Sequence, residues 1–192
     1  MAVTIVATPG AANANSFLTL VEANAYFASR LPLVPPWEDA EDPTAALAMA
    51  TRILSALAQP YRYLIPSDKS PYYYRVRRQW TGTPTTTTQR LPWPRTNMYD
   101  ANGNAIVSNV IPEALKEATA ELAGQLILAD TTLDNAVSVA GITSVKAGSV
   151  SVSFKDMIEA KVLPDAVWLL MPPSWFTEEL IEAAMMAEFE MI

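Results

Sequence analysis

Residues 90–130, RLPWPRTNMYDANGNAIVSNVIPEALKEATAELAGQLILAD, carry the strongest structural signals in the chain. Their second half predicts a helix that begins at Pro112, since proline suits a first helical turn and the neighbouring Glu113 complements the helix dipole. The apolar residues that follow at helical spacing are Leu115, Leu122, Leu126 and Ala129. We therefore expect a helix as far as about Ala129 that supplies part of the core.

The first half predicts a braced loop. Pro92 and Pro94 hold the chain extended on both sides of Trp93, which offers a large apolar anchor. We predict that Trp93 pins this loop onto the helices, while Arg95 bonds carbonyl groups or a carboxylate. Contact with another subunit is the alternative role for this segment. Asn102-Gly103 marks a turn before the helix.

Two more helices are expected upstream. Thr19 and Glu22 form a capping box, which predicts a helix over 20–30 that ends before Pro32. Asp42 and Pro43 then predict the start of a second helix that continues to about residue 58. Its apolar stripe comprises Leu47, Ala50, Leu54 and Leu57, followed by Tyr61.

Residues 60–94 lack clear periodicity, and we expect an extended loop with a short helical turn around 73–80. Aromatic and positively charged residues are interleaved within it, first in Tyr61-Arg62-Tyr63 and then in Tyr72, Tyr73, Tyr74, Arg75, Arg77, Arg78 and Trp80. This composition suits a platform for single-stranded nucleic acid. It also suits a protein interface or local packing. The net charge of −7 favours the protein interface among these three.

The C-terminal third predicts a β-hairpin from the strict alternation in 149–154 and the preceding run 142–146, then a short helix over 164–170. Thr177 is expected to start an acidic terminal helix. That helix either folds onto its own core or docks onto a neighbour. Its acidity would complement the basic residues of 60–94 in head-to-tail contacts between subunits.

These elements predict a mainly α fold: a small helical bundle with long proline-rich loops, one β-hairpin and a C-terminal helical arm. We divide the chain into an N-terminal extension (1–15), a helical core (16–135) with a long loop (60–95), the β-hairpin and short helix (136–173), and the acidic helical arm (174–192).

The chain contains no cysteine and no histidine, which excludes disulfides, Cys/His zinc sites and catalysis by histidine or cysteine. Its six glycines are scattered singly, so no phosphate-binding glycine motif is present. We expect neither enzymatic activity nor a cofactor or metal. No apolar run is long enough to cross a membrane, and we expect synthesis in the cytoplasm.

Three blocks of the sequence resemble the head–tail connector, or adaptor, proteins of tailed bacteriophages, a family that also carries the description DnaT-like single-stranded-DNA-binding protein. The blocks are residues 15–27, residues 46–57, and the Leu-x-Trp-Pro-Arg motif at 91–95 with the helix 111–123. The motif with its following helix is the most specific part. The resemblance covers about 15–171.

The resemblance implies a structural virion protein at the head–tail junction. Such an adaptor forms a cyclic ring, expected to be a dodecamer, on the portal protein and contacts a downstream stopper, tail-terminator or tail protein. Genomic double-stranded DNA would pass through its lumen without specific binding. The alternative function is a single-stranded-DNA-binding accessory protein of a phage.

We predict that a set of aromatic and arginine residues contacts other subunits or partners. The set comprises Tyr72, Tyr73, Tyr74, Arg75, Arg77, Arg78, Trp80, Trp93, Arg95, Trp168, Trp175, Phe176 and Phe189.

Overall fold

The computed structural model describes residues 3–32, 37–56, 61–66, 72–128, 144–147, 150–153 and 163–185. The α-helices in these segments are α1 (Leu20–Ser29), α2 (Pro43–Ala56), α3 (Glu113–Leu128) and α4 (Asp165–Leu170). The strands are β1 (Tyr61–Pro66), β2 (Tyr72–Trp80), β3 (Thr83–Pro84), β4 (Arg95–Thr96), β5 (Ser144–Ala147), β6 (Val150–Ser153) and β7 (Phe176–Met185).

The predicted starts of α1 and α2 are confirmed. At α1 the Glu22 N–H donates to Thr19 Oγ1 at 3.2 Å, and the Thr19 N–H donates to Glu22 Oε2 at 2.7 Å, which completes the capping box. At α2 the Asp42 carboxylate accepts the Ala45 N–H at 3.0 Å. These side chains satisfy N–H groups that have no partner within their own helix.

The apolar faces of α2 and α3 pack against each other to form the core, with α4 added on α3. The predicted positions whose burial the structure describes are buried: Leu47, Ala50, Leu54, Leu115 and Leu122 are each 0% exposed, and Leu126 is 9% exposed. Leu57 and Ala129 lie outside the described residues. The helical body therefore follows the periodicity of the sequence.

A buried polar cluster joins α1 to α3. Arg30 donates from Nε to Glu121 Oε2 at 2.7 Å and from Nη2 to Glu121 Oε1 at 2.8 Å. The Tyr26 hydroxyl donates to the same carboxylate at 2.9 Å, and so does Gln125 Nε2. The Glu121 side chain is only 6% exposed, so this two-pronged ion pair holds a carboxylate that would otherwise be costly to bury.

Residues 60–95 differ from the prediction of an extended loop. β1, β2 and β7 form an antiparallel sheet in the order β1-β2-β7. The helical turn expected around 73–80 is wrong, since those residues lie in β2. Tyrosine and valine favour strands, and two neighbouring strands supply the backbone partners that a loop would leave to water.

The C-terminal helical arm is also corrected. Residues 176–185 form strand β7, while Phe189 lies outside the described residues. Pairing with the long strand β2 gives this segment backbone hydrogen bonds and a partner of opposite charge, which outweighs its local helix signals. The predicted complementarity of basic and acidic segments therefore occurs within one chain here.

The β-hairpin is confirmed, with β5 and β6 paired from Ser144↔Ser153 to Ala147↔Val150. The short helix is confirmed as α4. The described structure is thus a small mixed fold, with a helical body as predicted and more β-sheet than predicted. No helix among the described segments is long and apolar enough to cross a membrane.

The Glu121 cluster gives a test of stability against pH. Burial raises the pKa of the Glu121 carboxyl, but the hydrogen bonds from Arg30, Gln125 and Tyr26 outweigh burial and hold that pKa below its usual range. The carboxylate therefore stabilises the fold above the pKa of an unfolded glutamate, and this stabilisation is lost as the pH falls through the folded pKa.

We predict that Glu121→Gln lowers the free energy of unfolding near neutral pH by about 1–3 kcal/mol, because charge-assisted hydrogen bonds are lost. The difference from the wild-type protein should shrink as the pH falls below the pKa of an unfolded glutamate, about 4.3, and vanish below the lower folded pKa. Urea unfolding over a pH series measures it. Glu117→Gln, one turn earlier on α3, is the matched control, and an equal loss there would contradict the prediction.

Candidate nucleic-acid interface

Three tryptophans from distant parts of the chain meet in the core at one end of the three-stranded sheet. Trp80 ends β2, Trp93 lies in the braced loop and Trp175 directly precedes β7, and they are 4%, 1% and 1% exposed. The Trp93 ring centroid lies 5.7 Å from that of Trp80 and 4.9 Å from that of Trp175. This tryptophan cluster anchors the adjacent ends of β2 and β7 in the core.

Arg95 closes the loop around this cluster. Its guanidinium donates to the carbonyl oxygens of Thr81 at 2.7 Å, Gly82 at 2.9 Å and Pro92 at 3.0 Å. The predicted bonding of Arg95 to carbonyls is confirmed. The residue is 7% exposed, and burial lowers the pKa of its guanidinium. Arg95 thus ties the end of β2 to the loop, and all of its described partners are backbone carbonyl groups.

Gly82 allows the turn after β2 to lie close to the backbone of Thr96 in β4. Its φ is +63°, and a Cβ at this position would collide with the Thr96 carbonyl oxygen and lie 2.8 Å from Met98 Sδ. Only glycine fits such a backbone without displacing β4. The turn from β2 to β3 therefore depends on this residue.

The three-stranded sheet, which the tryptophan cluster anchors at one end, carries most of the predicted aromatic and basic residues. Over their described lengths, its three strands contain four arginines and three glutamates. The register places Arg75 opposite Glu182, Arg77 opposite Glu179 and Arg78 opposite Glu178. The charge of the sheet is therefore almost balanced, in contrast to the acidic net charge of the whole chain.

The structure divides the predicted site residues into three groups. Trp80, Trp93, Arg95 and Trp175 lie in the core, so a contact with a partner there would require the core to open. Trp168 and Phe176 are half-buried and pack edge to face at 5.5 Å. The remaining described members, Tyr72, Tyr73, Tyr74, Arg75, Arg77 and Arg78, share strand β2.

Two features of the sheet were absent from the predicted set. Strand β1 adds Tyr61 and Tyr63 beside β2. Strand β7 adds the three glutamates opposite the arginines. Alternation of tyrosine with other residues in 61–64 is the sequence signal that would indicate β1.

A comparison with protein families gives one match. The family model described as "Putative DnaT-like ssDNA binding protein" matches residues 70–173, which is more than half of the 192 residues. The matched range contains β2, the braced loop, α3, the β-hairpin and α4. No curated protein and no solved structure matches the chain. The family match supports the predicted alternative, single-stranded DNA binding, better than the neck adaptor.

The carbonyl bonds of Arg95 lead to a prediction about stability. Arg95→Lys should lower the free energy of unfolding by about 1–3 kcal/mol, because an ammonium cannot reproduce the planar fork and leaves buried carbonyls unpaired. Chemical denaturation measures the change. Arg90→Lys in the same loop, at an exposed position, is the matched control and should be nearly neutral. Equal effects of the two substitutions would show that the bonds of Arg95 to carbonyl groups do not stabilise the fold.

Proposed function

Because the chain belongs to the DnaT-like ssDNA-binding family, we propose that it is a phage accessory protein that binds single-stranded DNA. The match to residues 70–173 carries this proposal, since it includes strand β2, which contains three tyrosines and three arginines. Aromatic rings stack on unpaired bases, and arginines contact the phosphates between them. Strand β2 offers both residue types in one extended segment.

The charge distribution supports the sheet as the binding region. The chain as a whole repels a polyanion, since its net charge is −7. The sheet contains four arginines and three glutamates, so it repels a polyanion less than the acidic chain as a whole does. Because few phosphates can be neutralised there, the affinity should depend only moderately on salt.

The arginines of β2 provide the direct test. Neutralising Arg75, Arg77 and Arg78 to glutamine should weaken binding to a fluorescent single-stranded oligonucleotide. It should also flatten the dependence of log affinity on log salt, by roughly 0.7 for each phosphate that is no longer neutralised. Fluorescence anisotropy over a salt series measures both quantities.

The control for this experiment is the exposed pair Arg52→Gln and Arg90→Gln, which removes positive charge outside the sheet. We expect the control to bind almost as the wild-type protein does. Equal loss in both variants would show that only net charge matters, and no binding by the wild-type protein would overturn the proposal.

A second candidate function is the head–tail adaptor ring, and one observation favours it. Each arginine of β2 lies opposite a glutamate of β7, so the basic segment is balanced within the chain and is not left for a polyanion. A channel through which double-stranded DNA slides benefits from a wall without strong phosphate contacts. The resemblance to adaptors also includes α1 and α2, which lie outside the family match.

The adaptor hypothesis predicts assembly on the portal protein. Negative-stain images of the chain mixed with portal should show an additional ring on the portal, and portal alone provides the control. A monomer in isolation is compatible with assembly templated by the portal. Absence of the ring in the mixture would reject the adaptor function and leave DNA binding as the remaining candidate.

A further inference from the structure

The register of β1 and β2 separates their tyrosines from most of their arginines. Directly opposite residues of an antiparallel pair share a face, and faces alternate along each strand. The pairs Tyr61↔Arg78, Tyr63↔Val76 and Ile65↔Tyr74 therefore occupy one face. That face, the tyrosine face, contains Tyr61, Tyr63, Tyr72 and Tyr74, while the other contains Arg62, Tyr73, Arg75 and Arg77.

The irregularity of the sheet does not disturb this separation. The register shifts in the pairing of β2 with β7, between Arg75 and Val76, where β7 contains an extra residue. The pairing of β1 with β2 runs without interruption from Tyr61↔Arg78 to Pro66↔Tyr73. The four tyrosines consequently hold adjacent positions on two neighbouring strands.

Tyr72 and Tyr74 lie far along β2 from its buried end. Trp80, which shares this face, is buried in the tryptophan cluster, and Tyr74 lies six residues before it. At about 3.3 Å per residue this separation is about 20 Å along the strand. The described elements that pack extensively along β2 are its sheet neighbours β1 and β7.

We propose that the tyrosine face is the surface that takes the unpaired bases of single-stranded DNA. This inference rests on the proposed DNA-binding function and assigns it to one side of one sheet. Tyrosine rings stack on any base, so the ligand is single-stranded DNA with little preference for sequence. Double-stranded DNA does not fit, because its bases are already stacked and paired within the duplex.

The charge pattern indicates why bases contribute more than phosphates. The opposite face holds Arg75 and Arg77, which the register places beside Glu182 and Glu179. An arginine that faces a glutamate offers less net attraction to a phosphate than a free arginine does. On the tyrosine face, the charged residues of β2 and β7 are Arg78 and Glu178, which lie opposite each other. The other residues of these two strands on that face are aromatic or apolar.

Two adjacent tyrosines give a matched pair of variants. Tyr74 lies on the tyrosine face opposite Ile65 and Ala183, whereas Tyr73 lies on the other face opposite Pro66 and Ala184. We expect Tyr74→Leu to weaken binding of a thymidine oligonucleotide by about five- to a hundred-fold, the range typical of removing one stacked aromatic residue. Tyr73→Leu should change the affinity less than two-fold, which is roughly the scatter of such a measurement.

Two further measurements keep the test decisive. Tyr74→Phe retains the ring and should bind nearly as the wild-type protein does, and circular dichroism checks that each variant keeps the sheet. An abasic oligonucleotide of equal length retains the phosphates and should lose most of the binding. Equal binding of abasic and normal oligonucleotides would overturn the proposal that the tyrosine face takes the bases, but it would leave the DNA-binding function intact.

The other outcomes are equally distinct. Equal losses for Tyr73→Leu and Tyr74→Leu, or no loss for either, would overturn the assignment to one face while the wild-type protein still binds. If the wild-type protein binds neither oligonucleotide, the proposed function itself fails. Preference for duplex over single-stranded DNA would also overturn the tyrosine face, because paired bases cannot stack on it.

Discussion

The packing of Trp93 between Trp80 and Trp175 is the contact on which the rest of the molecule depends. It joins the end of β2, the braced loop and the start of β7, which are far apart in sequence. Trp80 pairs with Phe176 in the sheet, and their ring centroids lie 4.6 Å apart. A slip of one residue between β2 and β7 would move Trp80 or Phe176 out of the cluster, so the core fixes the register of the sheet.

The charge pattern of the sheet follows from that register. With Trp80 opposite Phe176, Arg78 and Arg77 come to lie opposite Glu178 and Glu179. An opposite-charge pair across two strands contributes only about 0.2–1 kcal/mol, far less than burial of a large aromatic side chain. The aromatic core therefore determines the register of β2 with β7. The opposite charges add to its stability, and registers that place like charges opposite each other are destabilised.

The helices of this protein are predictable because their signals are local. Thr19 and Glu22 mark the start of α1 within four residues, and Pro112 marks the start of α3. The role of Arg95 was predicted in part, as bonds to carbonyls or to a carboxylate, and the structure shows bonds to carbonyls. Strand β7 was not, because its apolar residues also fit a helix and its partner strand lies about a hundred positions earlier.

The tyrosine face required the same non-local information. The interleaving of tyrosines and arginines was visible in the sequence, but which of them share a face became evident only when β1 was aligned with β2. Complementarity between basic and acidic segments was also visible, and it was assigned to contacts between subunits. The register shows that both segments belong to one sheet, so sequence complementarity alone does not tell an internal pairing from an intermolecular one.

Both candidate functions bring DNA close to an acidic protein, and the same sheet meets the requirement of each. Balanced charges neither capture nor strongly repel a phosphate backbone. Duplex DNA offers only that backbone and groove edges to such a surface, so it could pass without being held. Single-stranded DNA also offers the faces of its bases, which a row of tyrosines can stack upon. Whether the sheet binds a DNA molecule would then depend more on the accessibility of its bases than on the charge of its phosphate backbone.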